Sequence, residues 1–242
     1  TEGGEEGGRG MRFGLSGEQE MLADSVRRYL EAEVSLDAVR AVADGGDGSA
    51  IWRGLAELGV PALLVPESAG GLGLSCLDAV VVAECLGAAV APTSFLSTAV
   101  LFPLAVRHGG LAEDDECAAL LGAVAAGEAR IGAALAEAFA PRRDAGVRCE
   151  DGRLSGRALY VLDAPADNYL VADGERHLHL VASDAPGLAV RPLPTIDRTR
   201  GTAELTFESV PARSLSETPD VFDAVLDAGR VMLAADTLGA GQ

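Results

Sequence analysis

The chain has 242 residues, of which 48% are hydrophobic and 23% charged, a balance typical of a globular protein with one or two domains. The formal net charge of −18 argues against polyanionic partners, so we expect binding to neither nucleic acid nor an anionic membrane surface. The chain has no apolar run long enough to span a membrane, and its first ten residues do not resemble an export signal. We therefore predict a cytoplasmic protein with reduced cysteines, namely Cys76, Cys85, Cys117 and Cys149.

The first half of the sequence is dominated by helical patterns. Residues 1–11 are rich in glycine and glutamate, and we expect a disordered leader there. Ser16 followed by Gln19 is a capping-box pattern that opens the first helix. After breaks rich in glycine and proline, Ser75 caps a second strongly apolar helix. These signals predict an all-α N-terminal domain over residues 12–129.

Short alternating segments replace the helical patterns near Arg130. Asp151-Gly152 and Asp173-Gly174 each stand between two apolar stretches, as in tight hairpins. Several strands within residues 130–215 predict a small antiparallel β-barrel or sandwich. A helical pattern returns over residues 216–242, which we interpret as the start of a C-terminal helical domain. The predicted fold class is therefore α+β.

The last predicted helix carries a long apolar pattern. It includes Val225, Leu226, Met232 and Leu233, which are spaced for one helical face. We expect these side chains to be exposed wherever no other helix covers them.

Two histidines in a predicted strand invite a metal-site hypothesis. His177 and His179 lie two residues apart and therefore face the same side of a strand. No cluster of cysteines or further histidines supplies the other ligands that zinc needs. We predict a solvated strand face, and no metal site in the chain.

Several blocks, taken in order, resemble the acyl-CoA dehydrogenase family over residues 12–242. The strongest is residues 52–87, reading WRGLAELGVPALLVPESAGGLGLSCLDAVVVAECLG, and others are LSGEQEMLADSVRRYL, GRLSGRALYVLDAPADNYLVA and DAPGLAVRPLPTIDRTRGTAELTFESVPA. The resemblance implies a helical domain, a β domain and a C-terminal helical domain. It also implies α,β-dehydrogenation of an acyl-CoA thioester, with FAD as the hydride acceptor.

The resemblance further implies partners and the location of the catalytic base. An electron-transfer flavoprotein or a similar acceptor would take the electrons, and the protein would form a homo- or hetero-oligomer. The glutamate base of the family falls beyond Gln242, so we expect a truncated chain without a catalytic residue.

The same resemblance assigns the cofactor and substrate contacts. The flavin positions form two short segments, Leu135, Ala136 and Glu137 in the first and Tyr160, Val161 and Leu162 in the second. Ala136 and Leu162 stand where the family has hydroxyl side chains. Two lost hydrogen bonds, each worth about 0.5–1.5 kcal/mol, would weaken flavin binding. Glu137 either lines the cofactor site or is a plain solvated acid.

Two roles are open for the basic residues near the first flavin segment. Arg142 and Arg143, with Arg148 nearby, either contact the phosphates of CoA or flavin or form a charged surface loop. Further along, Asp197, Arg198 and Arg200 predict an internal ion pair that fixes their loop.

Three functions remain open at this point. The first is an acyl-CoA dehydrogenase flavoprotein subunit. The second is a non-catalytic partner subunit of a heteromeric acyl-CoA dehydrogenase, for which Ala136 and Leu162 are the expected kind of change. The third is an acyl-binding protein that keeps the fold without flavin.

Overall fold

The computed structural model describes residues 14–242, so the predicted leader over residues 1–11 lies outside them. Six α-helices occupy the first half of this part of the chain: α1 Gly17–Glu33, α2 Leu36–Ala43, α3 Ser49–Glu57, α4 Cys76–Ala88, α5 Phe102–His108 and α6 Asp115–Ala125. A π-helical segment, Phe95–Leu101, runs directly into α5. None of the helices within residues 14–242 combines the length and apolar character that crossing a membrane requires.

The predicted helix starts are confirmed. Ser16 accepts the Gln19 N–H and donates its own N–H to the Gln19 side chain, which completes the capping box. At α4, the N–H and hydroxyl of Ser75 both donate to the Asp78 carboxylate. The first helical pattern forms two helices, because Ser35 caps α2 by accepting the N–H of Ala38. A local cap thus interrupts a periodicity that appeared continuous.

The second half contains one eight-stranded sheet and two further helices. The strands are β1 Ile131–Ala134, β2 Gly146–Glu150, β3 Arg153–Leu162, β4 Asn168–Ala172, β5 Leu178–Ala182, β6 Leu188–Pro192, β7 Thr202–Pro211 and β8 Arg213–Ser216. The helices are α7 Ala136–Phe139 and α8 Pro219–Ala240. The strand order is β6-β7-β3-β1-β4-β5-β8, and β2 also pairs with β3. The α+β class and the order of its parts are confirmed.

The expectation of a wholly antiparallel sheet needs one correction. Both Asp-Gly hairpins form as predicted, joining β2 to β3 and β4 to β5. However, β1 and β4 run parallel, with Ile131 opposite Asn168. The segment between them contains α7 and the β2–β3 hairpin and returns the chain to its starting end. Parallel neighbours require such a crossover, which hairpin signals do not report.

Strand β3 contains a bulge that matters for the site. Ala158 pairs with Leu205 and Val161 pairs with Ala203, so the register shifts between these positions. Tyr160 lies inside the bulge with φ of 54°. The extra residue bends the strand, as β-bulges do. Tyr160 is consequently turned outward, with 49% of its surface exposed.

Two hydrophobic cores form on opposite faces of the central strands. Leu170 belongs to a core shared with the helices, whereas the next residue, Val171, belongs to a core enclosed by the sheet. This division follows from the alternation of side chains along a strand.

Helix α8 packs on α4 and joins the first core. Val225 and Met232 are buried there and Leu226 is half-buried. Other helices cover these three side chains, so the condition under which we expected their exposure is not met. Leu233 is 48% exposed. The sequence did not reveal that α4 covers this face, because the two helices are far apart along the chain.

Candidate functional site

The structure brings the two predicted flavin segments together. Ala133 of β1 pairs with Leu162 at the end of β3, and the first segment directly follows β1. Leu135 and Val161 are buried, whereas Ala136 and Leu162 are half-buried. The short helix α7 and the β3 bulge therefore set the relative positions of these residues.

Glu137 holds the two segments in register. It is 7% exposed, and its Oε1 accepts the backbone N–H of Leu159 at 2.9 Å. Arg142 Nη1 donates to both carboxylate oxygens, at 3.0 Å to Oε1 and 2.8 Å to Oε2. Glu137 is thus not a plain solvated acid, because its charge is buried and paired. Its contact with a cofactor stays a prediction.

Arg142 connects this carboxylate to the aromatic ring. Its guanidinium carbon lies 5.0 Å from the centroid of the Tyr160 ring, a cation–π distance. We call Glu137, Arg142 and Tyr160 the Arg142 cluster. Arg143 is exposed and, within residues 14–242, takes part in no ion pair. The structure therefore separates the two arginines that the sequence grouped.

The flavin positions do not fit the contacts that the resemblance implies. Neither Ala136 nor Leu162 has a hydrogen-bond donor in its side chain. Tyr160 offers an aromatic ring, but the guanidinium of Arg142 lies over it. A flavin ring stacked on this face of Tyr160 would have to displace Arg142, which would leave Glu137 buried without its cationic partner.

A cavity of about 460 Å³ lies at one end of the sheet, and His177 and His179 are among the residues that line it. His179 is only 4% exposed, and its Nε2 lies 3.0 Å from Oδ2 of the buried Asp173. The prediction of a solvated strand face is therefore wrong for His179. The sequence did not indicate that Asp173, in the hairpin turn, covers this position. Within residues 14–242, no three histidine, cysteine or acidic side chains converge as they would around a metal ion.

A cavity of about 530 Å³ lies where loops of the helical region meet the ends of β1, β3 and β7. Asp163 lines it, so we call it the Asp163 cavity. Asp163 directly follows the second flavin segment, has φ of 56°, and is 8% exposed. The N–H of Ser97, in the π-helical segment, donates to its Oδ2 at 3.4 Å. No sequence pattern singled out Asp163, although it lies within the block GRLSGRALYVLDAPADNYLVA that carries part of the resemblance.

The predicted ion pair near this cavity does not form. Arg198 pairs with Asp44 at 3.2 Å, and Asp197 accepts hydrogen bonds from Thr199. The carboxylate of Asp197 caps its own turn, which leaves Arg200 to line the Asp163 cavity.

Burial raises the pKa of Asp163 above the usual aspartate range, although Arg200, the Ser97 N–H and Arg130 oppose this effect. The native state therefore holds this proton more tightly than the unfolded chain does. Stability consequently falls as the pH rises from about 4 toward the raised pKa. Asp163→Asn removes the buried charge, and asparagine tolerates a positive φ.

We expect Asp163→Asn to increase the free energy of unfolding by about 1 kcal/mol at pH 7, and to have little effect near pH 4. Urea titrations of both proteins at the two pH values measure this difference. Equal stabilities at pH 7 would contradict it, and Asp184→Asn, at an exposed position, serves as the control.

Known proteins share both the sequence pattern and the fold. Residues 16–128 match the family model described as acyl-CoA dehydrogenase, N-terminal domain. This part of the chain therefore belongs to the acyl-CoA dehydrogenase family. A protein named acyl-CoA dehydrogenase IpdE2 from Mycolicibacterium smegmatis is 31% identical over 230 residues, covering 93% of this chain and 61% of its own length. Its Mycobacterium tuberculosis namesake is 28% identical over 234 residues, covering 93% of this chain and 60% of its own length.

The similarity to solved structures also includes the β-sheet region of the chain. A variant of the Tcur3481-Tcur3483 steroid ACAD is 31% identical with a TM-score of 0.79, covering 92% of this chain and 63% of that one. The ChsE4-ChsE5 complex from Mycobacterium tuberculosis has a TM-score of 0.81 at 24% identity, covering 95% of this chain and 65% of that one. The second likeness supports the fold alone. This chain spans about 60% of the length of the curated relatives that it matches.

Proposed function

We propose that this chain is a subunit of an acyl-CoA dehydrogenase assembly in which a partner subunit supplies the flavin-binding side chains. The reaction of the assembly is α,β-dehydrogenation of an acyl-CoA thioester with FAD as acceptor, and an electron-transfer flavoprotein or a similar protein takes the electrons. The observation that carries this proposal is the Arg142 cluster, which fills the first flavin segment with an internal ion pair.

The relatives are consistent with a subunit of this kind. Each of two solved structures with this fold is named after a pair of different chains: Tcur3481-Tcur3483 in one and ChsE4-ChsE5 in the other. In such an assembly one chain has no need of its own flavin contacts, provided that it keeps the surface that meets its partner. We therefore interpret Ala136 and Leu162 as the result of losing a flavin site that the partner subunit makes redundant. The ion pair between Arg142 and Glu137 then occupies the place of the lost flavin contacts.

A self-sufficient flavoprotein is the second candidate, and one observation favours it. Tyr160 keeps an exposed aromatic ring at the position that the family resemblance assigns to flavin contact. Arg142 and Arg143 would then contact the phosphates of the cofactor or of CoA. This candidate requires Arg142 to leave Glu137, at the cost of breaking a partly buried charged pair.

The test is retention of FAD by the isolated chain. We expect the purified protein, incubated with FAD and desalted, to be colourless. The double variant Ala136→Thr/Leu162→Thr restores two hydroxyl donors, and we expect it to bind FAD about 10-fold more tightly. Fluorescence quenching of FAD measures both affinities. Ala140→Thr, at an exposed position just after α7, is the matched control and should leave binding unchanged.

The two candidates give opposite results in this experiment. If the unmodified chain retains one FAD and the flavin band bleaches when an acyl-CoA is added, the partner-subunit proposal is wrong. If the chain stays colourless alone but co-purifies with a second, flavin-containing chain from the cells that produce both, the proposal is supported.

A further inference from the structure

The Asp163 cavity brings three arginines together in a strongly acidic chain. Arg53, Arg130 and Arg200 all line it, although the net charge of the chain is −18. Among the described residues, none of the three has a carboxylate within 4.0 Å. Three guanidinium groups around one cavity, each free of a close carboxylate, can offer hydrogen bonds to an anionic ligand.

Polar groups at the inner side of this cavity also have no partner. Trp52 and Thr93 line the cavity and are 7% and 6% exposed. Neither the Trp52 indole N–H nor the Thr93 hydroxyl has a hydrogen-bond partner, and the Ser97 hydroxyl next to Asp163 also has none. Buried polar groups without partners are costly, and a ligand that reached the Thr93 hydroxyl would offset part of this cost.

The acidic residues of the lining disfavour a ligand with more than one negative charge. Asp47 and Glu128 share the rim with the arginines, and Asp163 lies at its inner end. These acids would repel a phosphate dianion more strongly than a carboxylate. The volume of about 530 Å³ suits a small organic molecule, and Trp52 and Pro92 provide apolar surface for its body.

We propose that the Asp163 cavity binds a small organic acid, whose carboxylate contacts the arginines and whose apolar body packs against Trp52. None of the six predicted flavin positions lines this cavity, so the proposal is independent of the function proposed above. It assigns a ligand to a cavity that no sequence pattern predicted.

The first experiment compares a carboxylate with its neutral isostere. Isothermal titration calorimetry of the whole chain is carried out with cyclohexanecarboxylate, cyclohexanecarboxamide and inorganic phosphate at one ionic strength. We expect cyclohexanecarboxylate to bind at least about 10-fold more tightly than either of the others, because only it presents a single negative charge on an apolar body. If the amide binds as tightly, the arginines do not select charge and the proposal is overturned. If phosphate binds as tightly, the cavity is a general anion site and the carboxylate assignment is overturned.

Variants locate the binding in this cavity. We expect Arg200→Gln to weaken the binding of cyclohexanecarboxylate about 10-fold, and Arg107→Gln, at an exposed arginine elsewhere, to leave it unchanged. Thr93→Val keeps the side-chain shape and removes the unpartnered hydroxyl. It should raise the melting temperature of the ligand-free protein and lower the affinity for cyclohexanecarboxylate.

A merely structural role for Thr93 would change the melting temperature alone. Unaltered affinity in both Arg200→Gln and Thr93→Val, with circular dichroism showing that both are folded, would place the ligand elsewhere and overturn the proposal.

Discussion

Replacing Gly87 by alanine is expected to destabilise the protein by about 3 kcal/mol, at the upper end of the range for overpacking. Gly87 lies in α4 where α8 crosses it, and a β-carbon there would lie 2.0 Å from the backbone oxygen of Asp236. Backbone cannot rotate out of the way as a flexible side chain does. The two helices would have to separate, which exposes part of the core that holds Val225 and Met232.

The control for this variant is Gly122→Ala, which also replaces a glycine inside a helix. A β-carbon at Gly122 would lie 3.4 Å from its nearest neighbour, the Ala69 oxygen, in ordinary contact. Alanine is favoured over glycine in a helix by up to about 1 kcal/mol, so we expect Gly122→Ala to keep or raise stability. Urea unfolding of the two variants and the unmodified chain measures the difference. Similar stabilities for both variants would mean that α8 does not pack on α4 as described.

Replacing Asp173 by alanine is expected to cost about 3 kcal/mol at pH 7, because it breaks a buried, charged hydrogen-bond network. The carboxylate accepts the backbone N–H groups of Glu175 and His177 through Oδ1, at 3.0 Å and 2.9 Å. Its Oδ2 lies 3.0 Å from Nε2 of His179. The variant would leave the buried His179 ring and two partly buried N–H groups at the β4–β5 turn without this acceptor.

The same residue predicts a pH dependence. Burial alone would raise the pKa of Asp173, but the contacts with His179 and the His177 N–H outweigh it and hold the pKa below the usual aspartate range. The unfolded chain therefore takes up this proton first as the pH falls. The stabilising effect is fully present above about pH 4 and is lost as the pH falls through the lowered pKa.

We expect the stability difference between the unmodified chain and Asp173→Ala to shrink below pH 4. Chemical unfolding between pH 7 and pH 3 measures it. Asp184→Ala, at an exposed position in the turn after β5, should stay within about 0.5 kcal/mol of the unmodified chain throughout. A difference that is constant across this pH range would contradict the assignment of the effect to the Asp173 charge.

Signals within a few residues of each other predicted much of the fold. The capping boxes at Ser16 and Ser75 and the hairpins at Asp151-Gly152 and Asp173-Gly174 depend on neighbouring atoms only, and all four form. The candidate flavin segments were found through resemblance and do meet in space. Their contact with Arg142 was not predicted, because the exposed ring of Tyr160 results from a bulge in β3 that no local pattern marks.

The sequence by itself determined the order of helices and strands, the helix starts, the hairpin turns and the loss of two hydroxyls at Ala136 and Leu162. These features follow from backbone preferences and side-chain chemistry that each segment carries with it. Only the tertiary structure decided that α8 covers α4, that β1 and β4 run parallel, and that Asp163 lies in a cavity with three arginines. Such contacts join residues far apart in the chain, and their geometry depends on how whole elements pack rather than on any one segment.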